Sequence, residues 1–171
     1  MIKKLETNRL VIRSTKKEDA DFCIDMWSDD EMGKYMSNPP REKAGNFFLE
    51  WKKDVELYEG CYYFVAVSKE TGNHIGSCSA VPSEDKKSWD LGYCIHINYW
   101  RQSYATEMVT ELIDFCYKSG GRKITAAVAQ QNLGSNALLR KLGFYIEKKG
   151  FFKKQGTDIL YDEYTYRIDL E

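Results

Sequence analysis

Residues 89–144 restrict the possible folds more than any other stretch of this chain. Leu91, Tyr93 and Ile95 alternate with smaller residues, the period of a strand whose two faces meet different surroundings. Past a polar turn, Ala105, Met108, Val109, Leu112, Ile113 and Cys116 recur at helical spacing, while Glu107, Glu111 and Asp114 lie elsewhere on the cylinder. The first N–H groups of that helix have no partner within it and carry the positive end of its dipole, so they can hold an anion such as a phosphate. A second buried strand follows at Lys123–Ala129, then a polar opening and a short apolar helix ending at Leu142, with Gly143 as its C′ residue and Phe144 packing behind. Two strand-to-helix units in succession imply an α/β domain.

The rest of the chain is read in order. Arg9–Arg13 is a first strand, and Thr15-x-x-Glu18 is a capping box opening a helix that carries Ala20, Cys23 and Trp27 on one side and ends before Gly33. Asn38-Pro39-Pro40 breaks the chain. A second helix runs from Ala44 to Tyr58, with Phe47, Phe48, Trp51 and Val55 at helical spacing, and stops at Gly60. Tyr62–Val67 and His74–Val81 form a hairpin around Gly72. Strands beginning at Tyr145 and spanning Ile159–Ile168 close the chain, joined by a turn at 153–157. Residues 1–171 therefore read as one mixed-sheet α/β domain.

Charge and cysteine usage narrow the class. A formal net charge of -1 and a pI near 6.2 describe a soluble globular protein, and neither a disordered chain nor a general nucleic-acid binder. The five cysteines are scattered with no C-x-x-C pair, as reduced core residues of a cytoplasmic protein would be. His74 and His96 sit in strands without a ligand cluster, so no metal is expected. With no apolar leader and no long apolar run, neither a signal peptide nor a membrane span is expected. Net charge is +6 over residues 101–154, −3 over residues 1–100 and −4 over residues 155–171. The basic block surrounds the anion-binding turn; its alternative reading is solvated surface charge.

Four pieces in order resemble the GNAT superfamily of N-acetyltransferases, and particularly its branch that acetylates protein N-termini, including those of ribosomal proteins. They are Leu5-Glu6-Thr7-Asn8-Arg9-Leu10, then Asp90-Leu91-Gly92-Tyr93, then Tyr99-Trp100-Arg101-Gln102-Ser103-Tyr104-Ala105-Thr106-Glu107, and finally Asn132, Ser135 and Leu142-Gly143-Phe144. The chain departs from the family pattern at Arg101 and Ser103, where the turn has glycines. Side chains there crowd an approaching pyrophosphate, or else compensate by donating charged or hydroxyl hydrogen bonds.

The resemblance implies a mixed, mostly antiparallel central sheet flanked by helices. It also implies acetyl-CoA as cosubstrate and an amine acceptor, either a small molecule or a protein N-terminus, with direct transfer in a ternary complex. No membrane or nucleic-acid partner is implied, and the assembly is a monomer or homodimer. Asp90 would take the amine proton through water. Backbone N–H groups near Tyr93, Cys94 and Ile95, freed where the central strand splays from its neighbour, would receive the acetyl oxygen and pantetheine arm. Arg101, Gln102, Ser103, Tyr104, Ala105 and Thr106 would hold the pyrophosphate. Asn132 and Asn136 would hold pantetheine or order the site. The family's usual acid, a Tyr seven residues after the Asn, is Leu139 here, so Ser135 is the candidate acid, with helix capping as its alternative role. The loop at 38–40 and the aromatics of the second helix are candidate acceptor walls, core packing being the other role for those aromatics. A non-catalytic acyl-CoA-binding module with a degenerate phosphate loop is the rival reading.

Overall fold

The computed structural model describes residues 4–57 and 62–171. Its strands are β1 (Leu5–Glu6), β2 (Leu10–Ser14), β3 (Tyr62–Ser68), β4 (His74–Pro82), β5 (Ser88–Ile95), β6 (Lys123–Ala129), β7 (Tyr145–Lys153) and β8 (Leu160–Asp169). The helices are α1 (Ala20–Ser28), α2 (Phe47–Asp54), α3 (Tyr104–Lys118) and α4 (Leu133–Lys141). One eight-stranded sheet has the order β1-β2-β3-β4-β5-β6-β8-β7. Among those pairings only β5–β6 is parallel, because the chain crosses over through α3 between them.

Strand alternation sorts the two faces. Cys78, Ala80, Trp89, Leu91, Ile124 and Ala126 turn one way and are buried in a core shared with Met108, Val109, Leu112 and Cys116 of α3 and Leu138 and Leu139 of α4. Their neighbours in sequence turn the other way, toward α1 and α2; the Trp27 indole N–H of α1 donates to Ser77 Oγ of β4 at 3.1 Å.

Several boundaries differ from the sequence reading. Thr15/Glu18 does not form the capping box: Thr15 N–H is still bound to Tyr63 O of the sheet at 3.0 Å, and it is Asp19 whose Oδ2 accepts the Lys16 N–H at 2.9 Å. A 3-10 turn at Lys17–Asp19 intervenes before α1. That helix stops at Ser28, before Gly33 as expected, because Asp29 Oδ2 takes the N–H groups of Glu31 and Met32 and turns the chain. Gly33 lies folded against the helix end, where an added Cβ would stand 2.0 Å from Trp27 O. α2 begins at Phe47 instead of Ala44, after a 3-10 turn at Arg41–Lys43 and the left-handed Gly45. Tyr58, Gly60 and Cys61 lie outside the described residues. His96 is not a strand residue; it caps the 3-10 turn at Ile97–Tyr99, its Nδ1 accepting the Asn98 N–H at 3.2 Å. The end of α4 matches the expectation: Gly143, at φ 93°, donates to Arg140 O, and Phe144 N–H donates to Leu139 O at 3.0 Å. Cys23, Cys78, Cys94 and Cys116 are buried free thiols. No helix among the described residues is long and apolar enough to cross a membrane.

Candidate active site

The β5–β6 ladder is short. It pairs Ser88 with Lys123, Trp89 with Ile124 and Asp90 with Thr125, and goes no further. Yet β5 stays with β4 as far as Ile95, and β6 stays with β8 as far as Ala129. The two halves of the sheet therefore part just beyond Asp90. His96 N–H donates to Ile75 O of β4 at 2.9 Å, which sets the parity of the ladder. Even-numbered β5 residues point their backbone toward β4, and odd-numbered ones toward the opening. Tyr93 and Ile95 thus present N–H groups to the opening, whereas the Cys94 N–H is turned to β4 and cannot serve there. Trp100 completes this edge, its indole N–H donating to Ile95 O at 2.7 Å.

At the end of β5 lies the N-terminus of α3. The Glu107 N–H makes the first helical bond, to Ser103 O, so Tyr104, Ala105 and Thr106 are left with N–H groups that have no partner in the helix. Arg101 and Ser103 both adopt left-handed backbone, at φ 59° and 62°. These are the two positions at which the resemblance expects glycine, and L side chains cost about 1–2 kcal/mol in that region. Gln102 is held between them: its carbonyl accepts from Arg9 Nη2 at 3.0 Å and its side-chain amide donates to Asn98 O at 3.2 Å. The Arg101 side chain is exposed.

A brace that local sequence patterns did not reveal holds this turn. Glu107 accepts from Thr7 Oγ1 at 2.6 Å, from the Arg9 N–H at 2.8 Å and from Arg9 Nε at 2.7 Å, and the Arg9 guanidinium lies 4.0 Å above the Tyr104 ring. Burial works to raise the Glu107 pKa, but the bonds from Thr7 and Arg9 outweigh it and leave the carboxyl below its ordinary value.

On the α1/α2 side, Asp90 accepts a hydrogen bond from Thr125 Oγ1 at 2.8 Å, across the last rung of the ladder. Its edge is open to solvent, yet the protein around it pushes its pKa above the usual carboxylate value, and the Thr125 bond only partly opposes that rise. Glu163 of β8 is also raised, by burial and, against the pull of Lys148, by the charge of Asp90. Across the opening stands the start of α4. Asn132 Oδ1 caps it by accepting the Ser135 N–H at 3.3 Å. Ser135 is half-buried, and its hydroxyl lies within electrostatic reach of the Tyr93 hydroxyl. That Tyr93 oxygen is buried without a partner in hydrogen-bonding geometry, and burial pushes its pKa up to about 12, a rise that Ser135 opposes.

Asn136, expected at the cofactor, is committed elsewhere. Its Nδ2 donates to Ala129 O at 3.0 Å and Asn132 O at 2.7 Å, and its Oδ1 accepts from the buried Tyr166 hydroxyl at 2.6 Å. With both ends of the amide occupied, it orders the opening instead of meeting a ligand. Leu139 is fully buried in the core. Lys154, counted among the basic surface residues, is buried as well: its ammonium donates to Gly33 O at 2.8 Å and Met36 O at 3.0 Å, which ties the 29–46 loop to the β7–β8 turn. Burial lowers its pKa, against the charge of Asp30.

These features fit coenzyme A: unpaired N–H groups at a helix start for its phosphates and a free strand edge for its extended arm. Residues 9–145 match the family model described as an acetyltransferase (GNAT) domain. The chain is 30% identical to the uncharacterized N-acetyltransferase p20 of Bacillus licheniformis, covering 96% of this chain and 94% of that one. In fold it resembles spermidine N-acetyltransferase from Vibrio cholerae, solved in complex with CoA and spermine, with a TM-score of 0.81, 17% identity, and coverage of 95% of this chain and 96% of that one. It also resembles ribosomal-protein-S5-alanine acetyltransferase from Vibrio fischeri, with a TM-score of 0.76, 19% identity, and coverage of 98% of this chain and 97% of that one.

Proposed function

Because the chain belongs to the acetyltransferase (GNAT) family, we propose that it passes the acetyl group of acetyl-CoA directly to a primary amine within a ternary complex. The observation that carries this reading is the parting of β5 from β6 just beyond Asp90. It sets a carboxylate, two backbone donors and the start of α4 around one opening. The cosubstrate supplies an activated thioester. Asp90 takes the proton of the attacking amine, through water because an Asp side chain is short, and its raised pKa makes it a better base than an ordinary carboxylate. The N–H groups of Tyr93 and Ile95 stabilise the oxygen on which charge develops. Ser135 passes a proton to the departing sulfur while its own hydroxyl takes one from water, so the serine is restored. Burial pushes the Cys94 thiol up to about 12, so it holds little thiolate at neutral pH, which favours direct transfer over an acyl-cysteine route.

The test is to mix the protein with acetyl-CoA and a panel of amines and follow thiol release. The panel spans monoamines, polyamines and peptides with a free N-terminus. Release that depends on the amine is expected; coenzyme A binding without release would favour the non-catalytic acyl-CoA-binding module. That second reading draws on Arg101 and Ser103, whose side chains stand where close phosphate approach calls for glycine.

Arg101 itself is read as a phosphate partner. Arg101→Gly is expected to relieve left-handed strain yet weaken coenzyme A binding by about 1.5–3 kcal/mol, the range for a hydrogen bond to a charged group. Calorimetry over a range of salt concentrations checks this, since loss of an ionic contact lowers the salt sensitivity. Tighter binding in Arg101→Gly, with the salt slope unmoved, would mean that the side chain only obstructs.

A further inference from the structure

Between the 29–46 loop, α1, α2 and strands β3–β5 lies a cavity of about 260 Å³. It reaches the backbone of Gly92, Tyr93 and Cys94, on the strand segment that borders the opening. Trp27, Trp51, Phe47, Tyr63 and Met36 supply its apolar wall, and the Trp27 and Trp51 rings meet edge to face at 4.7 Å. Among the described residues that line it, none carries a charge; its polar side chains include Asn38, Thr15, Ser77 and Ser79. Four acidic side chains of α1 and its flanks are engaged elsewhere. Asp19 is bound to Arg13 and His74, Asp21 to Lys52, Asp25 to Arg41, and Asp29 to the N–H groups of Glu31 and Met32. Gly92 faces the same side as Asp90, about two residue rises or some 7 Å along β5. An amine beside Asp90 can therefore place a short substituent in the cavity.

Resting on the transferase reading above, we infer that the cavity selects the acceptor: a primary amine carrying an uncharged aryl or alkyl group, not a second ammonium. Enclosing an ammonium with no carboxylate costs on the order of a thousandfold in affinity. Cation–π contact with the aromatic wall restores roughly thirtyfold at best. An apolar group meets no such cost and gains about fourfold for each methylene buried. The cavity lies just below the roughly 300–1,000 Å³ of pockets that take drug-sized ligands, which suits one ring or a short chain.

Hexylamine and cadaverine form a matched pair, with a methyl at the far end of one and an ammonium at the far end of the other. In the thiol-release assay kcat/KM is expected to favour hexylamine by about thirtyfold, the net of the desolvation and cation–π effects. 2-Phenylethylamine should rank with hexylamine, and spermidine with cadaverine. A Phe-Ala peptide amide in the same series shows whether the group can arrive on a peptide N-terminus. Asn38→Asp, a nearly isosteric change that adds one negative charge to the wall, should narrow or reverse the preference. Binding is read separately from the Trp27 and Trp51 fluorescence on titration with 2-phenylethylamine or cadaverine, and Trp51→Phe identifies the signal. Saturable binding of 2-phenylethylamine without thiol release would sustain the cavity assignment and sink the transferase reading. Thiol release favouring cadaverine or spermidine, or unchanged by Asn38→Asp, would do the reverse. If neither thiol release nor binding is seen, both fail.

Discussion

Asp90→Asn is expected to lower kcat by about 10²- to 10⁴-fold, the usual contribution of a positioned general base, while coenzyme A affinity is unchanged. The amide keeps an oxygen for Thr125 Oγ1, so the last rung of the β5–β6 ladder should persist. The pH profile gives the independent signature. The protein packed around Asp90 raises its pKa above the ordinary carboxylate value, with Thr125 opposing, and the ionised form is the active one. Wild-type activity should thus fall on acidification at a pH higher than an ordinary carboxylate would set, and Asp90→Asn should remove that limb. The limb set by the ionisation of the amine substrate should remain in both. The sign for stability is opposite to that for activity. A carboxyl whose pKa is raised by folding is costly to ionise in the folded state, so the variant should be no less stable than wild type at neutral pH. An unaltered rate would remove Asp90 from the proton transfer and leave the cleft without its base.

Asp19→Ala is expected to cost about 3–5 kcal/mol of folding stability, the range for removing one partner of a buried ion pair. Asp19 is 1% exposed and receives Arg13 on both oxygens, at 2.7 and 2.9 Å, the His74 Nε2 at 2.7 Å and the Lys16 N–H at 2.9 Å. Removing it would leave the Arg13 guanidinium facing a void and detach the start of α1 from β2 and β4. Burial tends to raise the Asp19 pKa, but the bonds from Arg13, His74 and Lys16 outweigh it and hold the carboxyl well below the usual range. A depressed carboxyl contributes its stability above the unfolded pKa, near 3.8, and loses it as pH falls toward the folded value. The gap between wild type and variant in urea unfolding should be full at pH 7 and shrink below pH ~4. A gap that does not change with pH would assign the loss to packing alone.

Element identity and order were legible from periods and caps. The span of β6, the αL residue Gly143 closing α4, the hairpin of β3 and β4 and the helix start after Trp100 all follow from spacing within about ten residues, since strand and helix periods and caps are local properties of the chain. Asp90, Asn132 and Ser135 were marked by their place in motifs. The limits of these signals show at Asn136, whose type suggested a ligand contact, and at Cys94, whose N–H direction depends on ladder parity.

What sequence alone determined is therefore the domain class, the succession of its elements and the addresses of the candidate chemistry. The parting of β5 from β6 was implied by resemblance, but which N–H groups it frees depends on how β4 and β8 hold the two strands, and that was decided only by the tertiary structure. It also decided that Arg101 and Ser103 take the left-handed backbone their sequence disfavours, in a turn where Arg9, 93 residues from Gln102, binds the carbonyl between them. Lys154 reads as surface charge until Gly33 and Met36, 121 and 118 residues away, supply the carbonyls that let it be buried. A local pattern records the period and the cap of a segment, and cannot record which distant group will satisfy a charge once the segments are packed.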